Sequence, residues 1–523
     1  MTRERILVIG LDGATLDLIY PWAAEGHLPN LARLIRNGAS GPLRSTFPPV
    51  SPAAWTSFMT GKSPGRHGVF DFTVRDFRSY DMRVAARSSE PTIWRMLSTQ
   101  GRQVCVVNVP QTYPPEEVNG YMVTGLGTPS GCAFTYPDDL SDVLRKKNYQ
   151  IVTHANLRQD GPEAFVQGVY RVAEQVTDTM LDLMNQVDWD LGMVVLRLTD
   201  EIPHYFWHSM DETHPAHTAS DPVHKNTVRK CYQKADELLG RLIERADDRT
   251  TILVVSDHGF GPLHKDVCLN EWLRRQGLLT MRSHPNPRAT VSEALRRLGL
   301  TQTQVGHALA RLGWNGLRSA LRDVLGPWAK VFPQDSRCRV AEAVDWKRTQ
   351  AYSVGYIGQI YVNLAGREPR GTVSPGREYE RLRDNIVERL LEMTDPDDGR
   401  RVVSQVFKKE DIYEGPFLTK APDLLVEMRN LSYITRQSYQ ISERRRVFST
   451  PPTQETGSHR MDGVLIACGN HIREGFRIRD ARIEDLAPTI LHLHNYEVPV
   501  DMDGEVLVDL FDPEFIKRHP VKH

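Results

Sequence analysis

Short apolar runs alternate along this chain with segments whose apolar residues recur three and four positions apart. The runs predict buried strands, since strands of a sheet covered on both faces are apolar throughout. They cover residues 6–11, 104–109, 121–124, 192–198, 251–255, 359–363, 423–427 and 463–469. The amphipathic segments predict helices over residues 29–37, 51–61, 162–186, 223–246, 378–392 and 483–493. This alternation is typical of an α/β fold with a mostly parallel central sheet flanked by helices.

One long stretch departs from this pattern. Residues 291–332 form three amphipathic helical segments joined by glycines, with no apolar run of strand type. We therefore predict a discontinuous α/β catalytic domain, residues 1–283 and 340–523, interrupted by a helical cap insertion, residues 284–339. The apolar stripe of the insertion is expected to be buried within its own packing rather than against a membrane.

Composition narrows the class of protein. The 523 residues carry 65 basic and 66 acidic side chains, so nothing predicts a nucleic-acid polymer as partner. Six scattered cysteines without a CxxC pair favour a reducing compartment and argue against a cysteine-bound zinc. No apolar run reaches the ~18 residues of a transmembrane helix, and we expect a cytoplasmic enzyme. The oligomeric state stays open.

Carboxylate and imidazole side chains stand at the ends of several predicted strands. They are Asp12 after residues 6–11, Asp200 and His204 after residues 192–198, Asp257 and His258 after residues 251–255, and His459 before residues 463–469. Ligands gather beyond the carboxyl ends of strands in such sheets. Three carboxylates and three imidazoles suit two divalent ions about 4 Å apart. The Asp200–His204 spacing fits one helical face, although Pro203 argues against a regular helix.

A hydroxyl at a helix start completes this set. Ser51 is predicted to be the N-cap of a short helix, because Pro52 follows it. Gly61 is predicted to end that helix. The helix N-terminus favours an anionic oxygen, so Ser51 is the preferred nucleophile over Thr46 and Thr56.

In their order and residue identities these motifs resemble those of the alkaline phosphatase superfamily, most closely its type I phosphodiesterase/nucleotide pyrophosphatase branch. The matching segments are Gly10-Leu-Asp12-Gly13, Phe47-Pro-Pro-Val-Ser51-Pro52, Thr60-Gly61, Pro64-Gly-Arg-His67-Gly68, Asp200 with His204, Ser256-Asp-His-Gly259 and Gly457-Ser-His459. The resemblance implies an alkaline-phosphatase-like fold and two metal sites. One would be held by Asp12, Asp257, His258 and the Ser51 oxygen, and the other by Asp200, His204 and His459. Zn²⁺ is expected, with Mn²⁺ as the alternative.

The predicted activity is metal-dependent hydrolysis of small-molecule phosphodiesters or phosphoanhydrides through a phosphoserine on Ser51. Many members of the branch carry an asparagine three residues after the nucleophile, where this chain has Ala54. Another donor must then bind the phosphate, and the candidates are Lys62, Arg66, Arg460 and Lys265.

Alternatives remain open. The same site would serve a phosphomutase or a phosphomonoesterase, whereas the sulfatase C/S-x-P-x-R pattern is not matched by Ser51-Pro-Ala-Ala-Trp55. From a different class, the chain could be a binding protein with a degenerate site. The aromatic residues between His204 and His208 fit either a leaving-group pocket, where stacking suits a flat group, or part of the core.

Overall fold

The computed structural model describes residues 4–218, 223–282, 343–436, 446–451 and 454–522. The strands are β1 (Arg5–Leu11), β2 (Ala39–Arg44), β3 (Thr73–Arg75), β4 (Met82–Val84), β5 (Val104–Val109), β6 (Gly120–Thr124), β7 (Thr135–Tyr136), β8 (Leu191–Leu196), β9 (Thr250–Val255), β10 (Gly259–Pro262), β11 (Lys265–Val267), β12 (Ala351–Ser353), β13 (Gln359–Val362), β14 (Val403–Lys408), β15 (Leu424–Met428), β16 (Tyr433–Ile434), β17 (Phe448–Ser449), β18 (Gly457–Arg460), β19 (Asp462–Cys468), β20 (Phe476–Arg477) and β21 (Ala481–Arg482).

The α-helices are α1 (Leu16–Ala24), α2 (Pro29–Arg36), α3 (Ser51–Thr60), α4 (Pro64–His67), α5 (Ile93–Thr99), α6 (Leu140–Lys146), α7 (Leu157–Asp160), α8 (Pro162–Met184), α9 (Leu198–Met210), α10 (Thr227–Ile243), α11 (Leu269–Arg275), α12 (Arg377–Leu391), α13 (Lys409–Ile412), α14 (Leu486–Leu493) and α15 (Pro513–Arg518). None of these described helices combines the length and the apolarity needed to cross a bilayer.

A large, mostly parallel sheet organises the molecule, which confirms the predicted fold class. Its strand order is β20-β2-β19-β9-β1-β8-β5-β6-β7, and β21 also pairs with β2. Strands β9, β1, β8, β5 and β6 run parallel, while β19 is antiparallel to both β9 and β2. Gly10 of β1 lies opposite Val195 of β8 and Val255 of β9. The carboxyl ends of these three strands are therefore level with one another.

Helices cover both faces of this sheet. Successive residues of β1 alternate between two cores, as the two-residue period of a strand requires. Leu7 and Ile9 pack with residues of α8, α9 and α10, whereas Ile6 and Val8 pack with residues of α3, α5 and α14. All four side chains are fully buried, and each contributes roughly 1.5–3 kcal/mol of hydrophobic stabilisation. The apolar run of β1 follows from this two-sided burial.

A second, antiparallel sheet follows later in the chain, in the order β12-β13-β15-β14. Helix α12 packs on it through Ile386 and Leu390, which share a core with Val426 of β15. The predicted strands at 359–363 and 423–427 and the predicted helix at 378–392 are confirmed within one residue. The predicted helical insertion, residues 284–339, lies outside the described residues, and the domain division stays a prediction.

Three details of the predicted elements are wrong. The strand predicted to 198 ends at Leu196, and α9 runs from Leu198 through Pro203 without a break. A proline inside a helix costs ~3 kcal/mol, but this helix buries Ile202 and Phe206 in the core and so offsets the loss. Ser51 is the first residue of α3 rather than its N-cap, because Val50 occupies the flanking position.

Candidate active site

The level ends of β1, β8 and β9 bring three carboxylates together. Asp12 follows β1, Asp257 follows β9, and Asp200 lies in the first turn of α9 after β8. The backbone N–H of Gly13 donates to Asp257 Oδ1 over 3.3 Å. Gly13 has a φ of +68°, and a Cβ there would lie 3.0 Å from the Cβ of Asp200. This position therefore requires glycine for the carboxylates to approach one another.

Ser51 lies at the first group of candidate ligands. Its Oγ is 3.4 Å from Asp12 Oδ1 and 3.3 Å from His258 Nε2. His258 Nε2 is also 3.4 Å from Asp257 Oδ2 and 3.6 Å from Asp12 Oδ1. The four residues come from three separate parts of the chain and are almost completely buried. The structure thus assembles the four residues that the sequence predicts for one metal.

A second group forms around Asp200. Its Oδ1 lies 3.3 Å from the Nε2 atoms of both His204 and His459. Those two Nε2 atoms are 3.2 Å apart. Asp200 also belongs with the first group, because ligand atoms of Asp12, Asp200 and His258 lie within 4.8 Å of one another. The two groups therefore adjoin at Asp200. This is the arrangement expected of two neighbouring cation sites.

Backbone carbonyls orient all three histidines. The Nδ1 atom of His204 lies 3.0 Å from the Gly457 carbonyl, that of His459 lies 2.7 Å from the Pro49 carbonyl, and that of His258 lies 3.1 Å from the Gly259 carbonyl. A carbonyl only accepts, so each Nδ1 must carry the proton. In the neutral imidazole, Nε2 is then the nitrogen with the free lone pair and lies beside the carboxylates, which is the tautomer of a metal-binding histidine.

The protein balances the charges of the cluster only in part. Burial raises the pKa of Asp200, but the neighbouring His204 and His459 hold it well below its usual range. Burial and then the neighbouring Asp200 raise the pKa of Asp12 to about 7. Burial and then Asp12 and Asp200 raise the pKa of Asp257 as well. Among the described residues, Asp200 Oδ1 and Asp257 Oδ2 are buried without a hydrogen-bond donor. Orphaned carboxylate oxygens beside imidazole acceptors fit divalent cations, which would replace protons there.

A proton occupies part of this cluster when no cation is bound. Burial lowers the pKa of His204, but the adjacent Asp200 carboxylate more than compensates and raises it to about 9. Metal binding would displace that proton, since a ligating imidazole must be neutral.

The two alternative nucleophiles, Thr46 and Thr56, make their hydrogen bonds to backbone carbonyls. Thr56 Oγ1 donates to the Pro52 carbonyl over 2.6 Å, and Thr46 Oγ1 donates to the Pro48 carbonyl over 3.2 Å. Ser51 is therefore the hydroxyl that the geometry favours among the three candidates.

The predicted phosphate-binding cations are engaged elsewhere. Lys62 lies beyond the end of α3, about 16 Å from Ser51 by the helical rise, and pairs with Glu90 and Asp501. Arg66 pairs with Asp503 over 2.6 Å.

The other two predicted cations also have partners. Arg460 follows His459 in β18, so its side chain points to the opposite face and donates to backbone carbonyls, among them Pro262. Lys265 pairs with Asp395 and Asp397. The geometry does not bring these four side chains to the ligand cluster.

Sequence reasoning missed two residues beside the cluster. Trp55 Nε1 donates to Asp12 Oδ2 over 3.1 Å, and its spacing of four from Ser51 on a predicted helix was the available signal. Arg197 precedes α9, pairs with Glu201 over 2.8 Å and places a half-buried positive charge near Asp12, where it opposes part of the rise in the pKa of Asp12. The sequence gives no signal for Arg197, because a half-buried arginine looks like any surface arginine in one sequence.

Comparisons with known proteins indicate one family for this chain. The family model of the type I phosphodiesterase / nucleotide pyrophosphatase matches residues 6–459. No curated protein matches the sequence. The solved structures of similar fold include murine ectonucleotide pyrophosphatase / phosphodiesterase 5, in an inactive form with AMP, at 12% identity over 97% of this chain and 100% of that chain, TM-score 0.52.

A bacterial structure is similar as well. Phosphonoacetate hydrolase from Sinorhizobium meliloti 1021, in complex with phosphonoformate, is 14% identical over 94% of this chain and 96% of that chain, with a TM-score of 0.54. At these identities the likeness shows the fold alone.

Proposed function

The chain belongs to the type I phosphodiesterase/nucleotide pyrophosphatase family of the alkaline phosphatase superfamily, and from this premise we propose a specific activity for it. As a member of that metal-dependent family it is a phosphoric ester hydrolase. We propose that it hydrolyses small-molecule phosphodiesters or phosphoanhydrides through a phosphoserine on Ser51. The observation that carries the proposal is the position of the Ser51 hydroxyl, within 3.4 Å of both Asp12 and His258.

Two divalent cations complete the proposed site, with Zn²⁺ expected and Mn²⁺ as the alternative. Asp12, Asp257, His258 and the Ser51 oxygen would hold one cation. Asp200, His204 and His459 would hold the other. Bound there, the cations would supply positive charge that stabilises the phosphoryl oxygens and favours the ionised form of the Ser51 hydroxyl.

The chain itself supplies the nucleophile and its alignment. Ser51 Oγ attacks phosphorus in line, forming the Ser51–phosphorus bond as the bond to the leaving oxygen breaks. The N-terminus of the ten-residue helix α3 directs its dipole at this oxygen and at the incoming phosphate. Asp12 is held in place by Trp55, so the nucleophile faces a fixed acceptor.

The second half of the reaction restores the serine. Water attacks the phosphoserine from the side of Asp200, His204 and His459, opposite to the bond that Ser51 formed. His204 and His459 are locked by their carbonyl partners, which keeps this side of the site pre-organised for the water.

The decisive test combines a substrate panel with a nucleophile variant. Aryl phosphodiesters, phosphomonoesters and dinucleotides are assayed with Zn²⁺, Mn²⁺ or Mg²⁺, and diesters are expected to be preferred. Ser51→Ala should abolish turnover and phosphoenzyme labelling while metal content stays near two ions per chain. Ser45→Ala, at another buried serine nearby, serves as the control. Preference for monoesters, or normal turnover by Ser51→Ala, contradicts the proposal.

A cytoplasmic location also stays a prediction. The cysteines of the described part of the chain are free thiols, which fits a reducing compartment. Fractionation of cells that express the protein would test it.

A further inference from the structure

A cavity of about 650 Å³ lies along the continuation of α9, beyond the turn that carries Asp200 and His204. His208, one helical turn after His204, lines it, and so does Thr456, three residues before His459. The two segments are tied together at this point, because the N–H of Thr456 donates to the His204 carbonyl over 2.6 Å. Thr456 Oγ1 also lies 3.1 Å from His208 Nδ1. Four residues of helix rise ~6 Å, so the cavity wall at His208 is about that far beyond His204.

Flat rings form much of the cavity wall. The aromatic and imidazole rings among the described lining residues belong to Tyr205, Phe206, His208, His214, His224 and His264. Contacts between rings fix several of them. Tyr205 meets Phe165 edge to face with centroids 5.3 Å apart, and His214 meets His264 in the same way at 5.3 Å. Phe206 and His224 are likewise 5.3 Å apart. These walls present ring faces and edges in fixed orientations, which is what a flat ligand requires.

Each charged side chain in the described lining of the cavity is paired with a residue of opposite charge. Lys265 and Glu455 are the charged residues there. Lys265 is paired with Asp395 over 2.6 Å and also with Asp397. Glu455 is paired with Arg436, which also binds Asp266. An anionic group such as pyrophosphate would find the lining cation, Lys265, already paired with two carboxylates. An uncharged aromatic group needs no such cation.

We propose that this cavity binds the leaving group of the substrate and selects an uncharged aromatic one. The inference rests on the proposed function, in which the leaving oxygen departs beside Asp200, His204 and His459. The bond between phosphorus and the aryl oxygen breaks with its electron pair on that oxygen, as the bond from Ser51 Oγ forms and the serine proton passes to solvent. The released aryloxide then lies over Tyr205. The cavity volume falls within the 300–1,000 Å³ typical of small-molecule sites.

Kinetics with two matched diesters test the selection. One is an aryl methyl phosphate, and the other is a fluoroalkyl methyl phosphate whose leaving alcohol has the same acidity. Tyr205→Leu should lower kcat/KM for the aryl diester about tenfold, mainly through KM, and leave the fluoroalkyl diester within about twofold. Tyr121→Leu is the matched control, since Tyr121 is also half-buried but lies on β6 and bonds Gln186. Equal losses for both diesters would overturn the proposal.

Binding of 2-naphthol to the metal-free protein, measured by calorimetry, separates this proposal from the activity. Tyr205→Leu should weaken that binding about tenfold, and Tyr121→Leu should not change it. If the wild type hydrolyses neither diester but naphthol binding depends on Tyr205, the aromatic site stands and the proposed function fails. If naphthol binding is absent or does not depend on Tyr205, the aromatic site is wrong whatever the enzyme hydrolyses.

Discussion

Two buried clusters of charged residues contrast within this fold. In the second sheet, Asp423 accepts hydrogen bonds from Arg367 (2.8 Å), Lys409 (3.0 Å) and Tyr379 (2.6 Å). We call these four residues the Asp423 cluster. Burial raises the pKa of Asp423, but the Arg367 hydrogen bonds and the charges of Arg367 and Lys409 hold it well below its usual range. At the ends of β1, β8 and β9 the pKa of Asp12 is raised instead.

The difference lies in where the counter-charge comes from. The Asp423 cluster is complete within the chain, so it contributes to stability and to the packing of β13, β15 and α12. In the ligand cluster, Asp200 Oδ1 and Asp257 Oδ2 have no hydrogen-bond donor among the described residues, and we propose that the remaining counter-charge comes from bound cations. A buried carboxylate thus indicates function when the surrounding protein fails to neutralise it.

Removing the anion of the Asp423 cluster should give the largest loss of stability. Asp423→Ala leaves Lys409 buried without its carboxylate and leaves Arg367 with Glu368 alone, which costs ~3–5 kcal/mol in the free energy of unfolding. Urea denaturation of the metal-loaded protein measures it, with the exposed Asp138→Ala as control. A loss below about 1 kcal/mol would contradict the role given to the cluster.

Asp71 is intermediate between the Asp423 cluster and the ligand cluster, because it is a buried carboxylate whose hydrogen-bond donors are neutral. It accepts from the Tyr356 N–H and from Gln359, yet burial raises its pKa to about 7. Because the folded state holds this proton more tightly, stability should fall as the pH rises from about 4 to about 7, by up to ~4 kcal/mol. Asp71→Asn should remove that part of the pH dependence. Parallel urea curves between pH 5 and 8 would show it, and an unchanged slope in the variant would exclude it.

Removal of metal should lower the stability that the ligand cluster contributes and leave the contribution of the Asp423 cluster unchanged. At a metal concentration of 100 Kd, bound cation adds ~2.7 kcal/mol per site, so chelation should lower Tm and added Zn²⁺ should restore it. Asp200→Ala should reduce this metal-dependent shift by at least half, since Asp200 is a proposed ligand of one cation and borders the ligands of the other. Thermal denaturation with and without chelator is the measurement. A shift of normal size in Asp200→Ala would contradict the shared role.

The smallest expected effect concerns the tryptophan behind Asp12. Trp55→Phe keeps most of the ring but removes the Nε1 donor, and should lower metal affinity 10–100-fold. Trp94→Phe is a matched control, because Trp94 is equally buried and its Nε1 has no partner among the described residues. Competition with a zinc indicator measures both. Equal effects of the two variants would assign the change to packing alone.

Strands β1 and β9 and the ligands that follow them were predictable from the sequence. Their two-sided burial produces apolar runs, and the turn after each run must carry the polar residues. Strand β2 was not predictable in this way, since Gly41 and Pro42 interrupt any apolar pattern. Gly41 belongs there because a Cβ would lie 2.2 Å from the Ile478 carbonyl, a contact made by a residue 437 positions away.

The phosphate-binding candidates are paired elsewhere for the same physical reason. Lys62 and Arg66 find their acidic partners at Asp501 and Asp503, more than 430 residues further along the chain. One sequence does not show which charges will meet over such distances. The metal ligands were easier to predict because each is attached to a strand end whose position the apolar pattern fixes.

The bond between His459 Nδ1 and the Pro49 carbonyl spans 410 positions of the chain. It fixes the last ligand against the segment that carries Ser51. A nascent polypeptide still lacking residue 459 on the ribosome would contain the serine and most of its neighbours but would have no closed catalytic centre. The candidate site can therefore close only after translation has passed residue 459.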